Sequence, residues 1–132
     1  MTAVDTNVVV SLLTADDPEQ AAAARFVFAG DFVWIARTVL LETAWVLSSA
    51  YGFDDSAIRE AFTRLLGLAN VQTEDISSVT VALNLNAQGL DFADALHLTS
   101  RPHGADFISF DRAFVRRAKR AGAKAVSVVP SA

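Results

Sequence analysis

The side chains able to do chemistry in this chain are oxygen acids. Asp5, Glu42, Asp94 and Asp111 stand at or near the ends of apolar segments or, for Glu42, within one, and the sequence has no cysteine to act as a thiolate nucleophile or soft metal ligand. Carboxylates serve as ligands for hard divalent cations or as acid–base groups. The two histidines are poorly set for the acid–base pair of a metal-free hydrolase. His97 reads as packing or solvent-facing on the helix after Asp94, and His103 sits in Arg101-Pro102-His103-Gly104, a loop pattern.

Each acid has a structural reading beside the chemical one. Asp5 follows the apolar stretch Thr2 to Val4 and precedes Thr6-Asn7, so it either caps the next turn or stands at the carboxyl end of a strand, where ligands gather in open sheets. Asn7 is an assisting hydrogen-bonding group or a turn residue. Glu42 lies in Val39-Leu40-Leu41-Glu42-Thr43-Ala44-Trp45-Val46-Leu47, a segment expected to be mostly buried. A carboxylate buried there needs a partner, a metal or a proton; otherwise it marks one exposed stripe on the helix. Asp91 and Asp94 share one helix start, where Asp91 is the expected N-cap and Asp94 the functional member, the reverse assignment being the alternative. Asp111, with Ser109 just before it, sits between a strand and a helix, and capping alone would account for it.

The elements that must position these acids follow from apolar spacing and end signals. A short strand ends near Asp5, with a helical turn over Val8 to Leu13. Asp17-Pro18-Glu19-Gln20 is a capping-box start for a helix to about Phe28, with Gly30 beyond it. Phe32 to Ile35 reads as a strand, and Thr38 as the N-cap of a helix through about Ala50 that Gly52 stops. Asp54-Asp55-Ser56 opens a helix to about Leu68, and a short strand follows near Val71. Ile76 to Asn86 is helical, Gly89 breaks it, and Asp91 caps Phe92 to Ser100. Phe107 to Phe110 has the pattern of a buried strand, Asp111 caps a basic helix to about Ala121, and Ala125 to Val129 is the last strand. Short strands alternating with helices imply an α/β three-layer sandwich, its mainly parallel sheet flanked by helices.

Composition bounds the rest. The 132 residues, 52% of them hydrophobic, suit a single domain over 1–132, and no apolar run is long enough to span a bilayer. The N-terminus lacks the basic region of a secretory signal, which together with the absence of cysteine suits a reducing cytoplasm. The net charge of −4 argues against general coating of nucleic acid, yet Arg112, Arg116, Arg117, Lys119, Arg120 and Lys124 place six of the eleven basic residues close together. That run is either a solvated helix face or a phosphate contact.

Taken in order, Val4-Asp5-Thr6-Asn7, Leu41-Glu42, Asp91-Phe92-Ala93-Asp94-Ala95-Leu96 and Ser109-Phe110-Asp111 resemble the motifs of PIN-domain nucleases, particularly the VapC-type toxins of bacterial toxin–antitoxin pairs. The resemblance runs over essentially the whole chain. It implies that Asp5, Glu42, Asp94 and Asp111 are the catalytic, metal-binding acids, with Asn7 and Ser109 as auxiliary polar groups. Asp91 receives no firm role beyond capping and polar support.

Such a cluster suits one or two Mg2+ or Mn2+ ions, with the acids titrating as a coupled set, and the resemblance implies that metal-activated water hydrolyses RNA there. Arg112, Arg116 and Arg117 would contact backbone phosphates. The resemblance further implies an antitoxin partner and a homodimer; Trp34, Trp45 and the Phe-rich N-terminal helix could add contact area, although core packing is the first expectation for them. Two other readings stand beside it: a receiver-type signalling domain, which lacks its paired first-strand acids here, and a PIN-like module that binds RNA or protein without cutting.

Overall fold

The computed structural model describes residues 1–131. They form an α/β fold of helices joined to short parallel strands. The chain divides into two compact units, Met1–Ile76 and the residues from Ser77 onward.

The first unit contains β1 (Thr2–Ala3), α1 (Thr6–Thr14), α2 (Pro18–Phe28), β2 (Val33–Ile35), α3 (Arg37–Tyr51), α4 (Asp55–Leu66) and β3 (Val71–Thr73). Its strands pair in the order β1-β2-β3, all parallel, with Val33 opposite both Thr2 and Val71. Each parallel step is made through a pair of helices, as parallel pairing requires a long crossover. Its core holds Val9, Val33, Ile35, Leu40, Leu47 and Phe62, all fully buried.

The second unit contains nearly all of α5 (Ile76–Ala87), then α6 (Phe92–Thr99), β4 (Phe107–Ser109), α7 (Arg112–Arg120) and β5 (Val126–Val128). Here β4 and β5 pair in parallel, with Ile108 opposite Ser127. The expected sheet is therefore divided into a three-stranded and a two-stranded ladder. Strands of two or three residues carry few ladder bonds, so side-chain clasps matter. Arg101 donates to the carbonyls of Lys124 (2.8 Å) and Ala125 (3.0 Å), holding the chain just before β5. Val79, Ala82, Leu90, Ala95 and Ala118 are buried.

Aspartates begin five helices by accepting backbone N–H groups that the first turn leaves unpaired. Asp5 accepts from Val8 (3.3 Å), Asp17 from Glu19 and Gln20, Asp54 from Ala57, Asp91 from Asp94, and Asp111 from Phe114. Because Asp5 caps, α1 starts at Thr6, two residues before the expected turn.

Two expected caps are replaced by tertiary contacts. Thr38 is not the N-cap of α3; Ala36 is, without a side-chain bond, and Glu74, just after β3, accepts the Arg37 N–H at 2.9 Å and pairs with its guanidinium at 3.6 Å. Gln20 turns its carboxamide to Ser11 on α1 instead of back to the cap, accepting that hydroxyl at 3.4 Å. Further along, α4 ends at Leu66, short of Leu68. Among the described residues no helix is long and apolar enough to cross a membrane.

Candidate active site

The acids of the second unit are positioned by a chain of local bonds. The buried Asn86 side chain donates to the carbonyl of Leu90 at 2.8 Å, which secures the residue just before Asp91. Asp91 then accepts the N–H of Asp94 at 3.2 Å and starts α6. From the first turn of that helix Asp94 projects, partly buried, with exposed His97 three residues further on.

The other side is built by β4 and α7. Ser109 Oγ accepts the N–H of Asp111 at 3.0 Å, and Asp111 in turn accepts from Phe114 at 3.0 Å. Phe114 meets Phe107 edge-to-face, with ring centres 5.7 Å apart, so the helix that Asp111 starts is packed against the strand it leaves. Asp94, His97, Ser109 and Asp111, with Phe107, Ile108 and Phe114, consequently line one cavity of about 470 Å³.

The electrostatics of this cavity are anionic. Partial burial pushes the Asp94 carboxyl above its ordinary value, the negative charges of Asp91 and Asp111 push it further, and His97 opposes them. A divalent cation would relieve this repulsion. The donor set, carboxylate oxygens with a serine hydroxyl alongside, fits a hard ion such as Mg2+ or Mn2+.

In the first unit, Asp5 and Asn7 line a separate cavity of about 350 Å³ together with Val8, Ser11, Gln20 and Val27 of α1 and α2. Asp5 is exposed and also acts as the cap, so its two readings are compatible. Glu42 takes the second of its two readings, the exposed stripe. Its apolar surroundings suggested burial, but the buried stripe of α3 is Leu40, Thr43, Ala44 and Leu47, and Glu42 lies on the opposite, exposed side with Trp45. Among the described residues it makes no hydrogen bond or ion pair, and it is on the lining of neither cavity. Among the described residues, likewise, no group of three or more histidine and acidic side chains is gathered closely enough to hold a metal ion.

Three features were missed or misjudged in the sequence. His97 lines the acidic cavity, and its one clue was the three-residue spacing from Asp94. Phe110, between Ser109 and Asp111, is 83% exposed although its strand pattern suggested burial. Trp45 and Phe26 are also solvent-facing, at 70% and 81%, whereas Trp34 is half-buried and Phe28 is buried as expected. Arg112, Arg116 and Arg117 are exposed on α7, whose buried side is Phe114, Val115 and Ala118.

The family comparison agrees with this fold: the PIN domain family matches residues 2–120. The chain belongs to the PIN domain family. Members of that family are generally metal-dependent nucleases and generally bind RNA. No curated protein and no solved structure shows significant similarity to the chain.

Proposed function

We propose that the chain is a Mg2+- or Mn2+-dependent endoribonuclease, acting as one PIN domain, with Asp5, Glu42, Asp94 and Asp111 as its metal-binding acids. The observation that carries this reading is the shared cavity of Asp94, Ser109 and Asp111, where partial burial first and the charges of Asp91 and Asp111 second raise the Asp94 carboxyl. A carboxylate set under mutual repulsion is a site prepared for a cation.

When bound, a divalent ion supplies Lewis acidity toward a phosphodiester oxygen and a hydrolytic water of lowered pKa. The residues of the chain do the remaining work. Asp94 and Asp111 hold the charge that balances the ion, and Ser109 and Asp91 fix the backbone on which each acid stands. Asn7 gives the Asp5 region a neutral hydrogen-bonding group. Arg112, Arg116 and Arg117 offset the phosphate charge that an acidic cavity would otherwise repel.

The finer reading is a toxin of a toxin–antitoxin pair working in the cytoplasm, held inactive by a protein antitoxin and self-associating as a dimer. Its support is the resemblance of the four motifs and the presence of Phe26 and Trp45 as large exposed apolar side chains, the type enriched at protein interfaces.

The test is cleavage of RNA by the purified chain with Mg2+ or Mn2+, beside Asp5→Asn, Glu42→Gln, Asp94→Asn and Asp111→Asn. Loss of cleavage in the variants, with unchanged circular dichroism, is the expected result. Equal cleavage by Asp94→Asn and the unaltered chain would defeat the assignment. Growth arrest on expression, relieved by a co-expressed small protein encoded next to the gene, would be the outcome for a toxin.

A further inference from the structure

We propose that Phe110 is a stacking platform for a base of single-stranded RNA, set beside the acidic cavity so that the adjoining phosphate is presented to Asp111 and Asp94. This deepens the nuclease reading and rests on it.

Most exposed apolar side chains need no explanation. Phe110 differs in its place. It is 83% exposed at the bend that leaves β4, and Ile108, two positions earlier, is 54% exposed and lines the cavity. The residues on either side of Phe110 are both committed to that cavity: Ser109 accepts the Asp111 N–H, and Asp111 caps α7. The backbone around the ring is therefore held by two short-range bonds while the ring itself packs against nothing that would bury it.

The surrounding charge identifies the partner. Directly after Asp111 come Arg112, then Arg116 one turn further along α7, both exposed. An aromatic ring next to guanidinium groups is the pairing that single-stranded nucleic acid uses, with bases on the ring and phosphates on the cations. Ile108 adds some exposed apolar area, but the residues that follow Phe110 in the chain, Asp111, Arg112 and Arg116 among them, are charged and exposed, which suits a nucleic acid over an apolar protein face.

The experiment uses the full chain and a short single-stranded oligoribonucleotide carrying 2-aminopurine, with binding read in the Asp94→Asn background and KM and kcat read without it. Phe110→Ala is expected to weaken binding about tenfold or more and to abolish the quenching of 2-aminopurine that stacking causes. Phe110→Tyr and Phe110→Trp should keep both, while Phe110→Leu, apolar but without a π face, should behave as Ala. In cleavage, Phe110→Ala should raise KM more than it lowers kcat.

Unchanged binding and quenching in Phe110→Ala, or full function in Phe110→Leu, overturns the platform, as does failure of the chain to bind single-stranded RNA. Loss of association with a protein while RNA binding is intact overturns it in favour of a protein contact. The two readings separate cleanly. Cleavage with a KM indifferent to Phe110 removes the platform and leaves the nuclease; quenching that depends on Phe110 without cleavage by any form leaves the platform and removes the nuclease.

Discussion

Asp91 Oδ2 accepts the backbone N–H of Asp94 at 3.2 Å, so one acid starts the helix that carries the other, and its charge also raises the carboxyl it positions. The two effects can be separated. Asp91→Asn keeps a good N-cap and removes the charge, whereas Asp91→Ala removes both. Asp91→Ala should cost about 1 kcal/mol of stability. Asp91→Asn should cost little, while moving the Asp94 titration, followed by carboxyl-carbon NMR, down toward its ordinary value.

Asp94→Asn should stabilise the metal-free chain at neutral pH. The Asp94 carboxyl titrates higher in the folded chain than its ordinary 3.8, so the folded state holds the proton more tightly than the unfolded one. The stability this group contributes is complete below 3.8 and is lost as pH rises through the folded-state value. Melting curves should show the variant above the parent at pH 7 and level with it at acid pH below that range. A variant less stable than the parent at pH 7 would contradict the raised carboxyl.

Divalent metal should reverse that order. An ion bound only by the folded chain stabilises it by about 2.7 kcal/mol at a concentration 100 times its Kd. Mg2+ or Mn2+ is expected to raise the melting temperature of the parent, with a much smaller rise for Asp94→Asn or Asp111→Asn. Ca2+-free thermal shift assays across an EDTA-to-Mn2+ series would measure it.

At Asp111, capping and chemistry can be told apart by the choice of substitution. Its carboxylate accepts the Phe114 N–H at 3.0 Å, a role that asparagine fills as well. Asp111→Asn should therefore keep the fold and reduce RNA cleavage about 100-fold, roughly 2.7 kcal/mol in the barrier. Asp111→Ala should lose about 1 kcal/mol of stability in addition. Were Asp111→Asn to cleave normally, the residue would be a cap and nothing more.

The basic face of α7 predicts a salt dependence. Replacing Arg112, Arg116 or Arg117 by Gln should weaken RNA binding at low salt. It should also flatten the plot of log affinity against log salt by about 0.7 for each single-strand phosphate left unneutralised. An unchanged slope would return these arginines to the role of a solvated helix face.

Much of the architecture was readable along the chain because its signals act over three or four residues. An aspartate that caps needs only the next turn, and Asp17, Asp54, Asp91 and Asp111 open helices where their sequence context places them. Gly52 closes α3 in the left-handed conformation that a glycine reaches at little cost, with φ of 70°. Even the weak strand near Val71 is present as β3.

What failed to be legible depended on distant partners. The start of α3 at Arg37 is set by Glu74, 37 positions away, and no local rule foresees it. The apolar neighbours of Glu42 could have buried it or left it on a stripe; which face of α3 is covered depends on packing against α1 and α4, and that packing leaves Glu42 outside. Phe110 continues an apolar strand pattern, yet the strand ends one residue earlier, when the Ser109 hydroxyl takes the N–H of Asp111.

The sequence by itself determined the kinds of groups present: acids at helix starts, a cationic last helix, no thiols, and an order of motifs that identifies the family. Only the tertiary structure decided which of those groups face one another, giving Asp94 the company of Asp111, Ser109 and His97 and giving Phe110 to solvent. The reason is physical. Caps and helical periods are short-range and written residue by residue, whereas burial and electric field at a side chain are sums over neighbours that the folded backbone alone brings near.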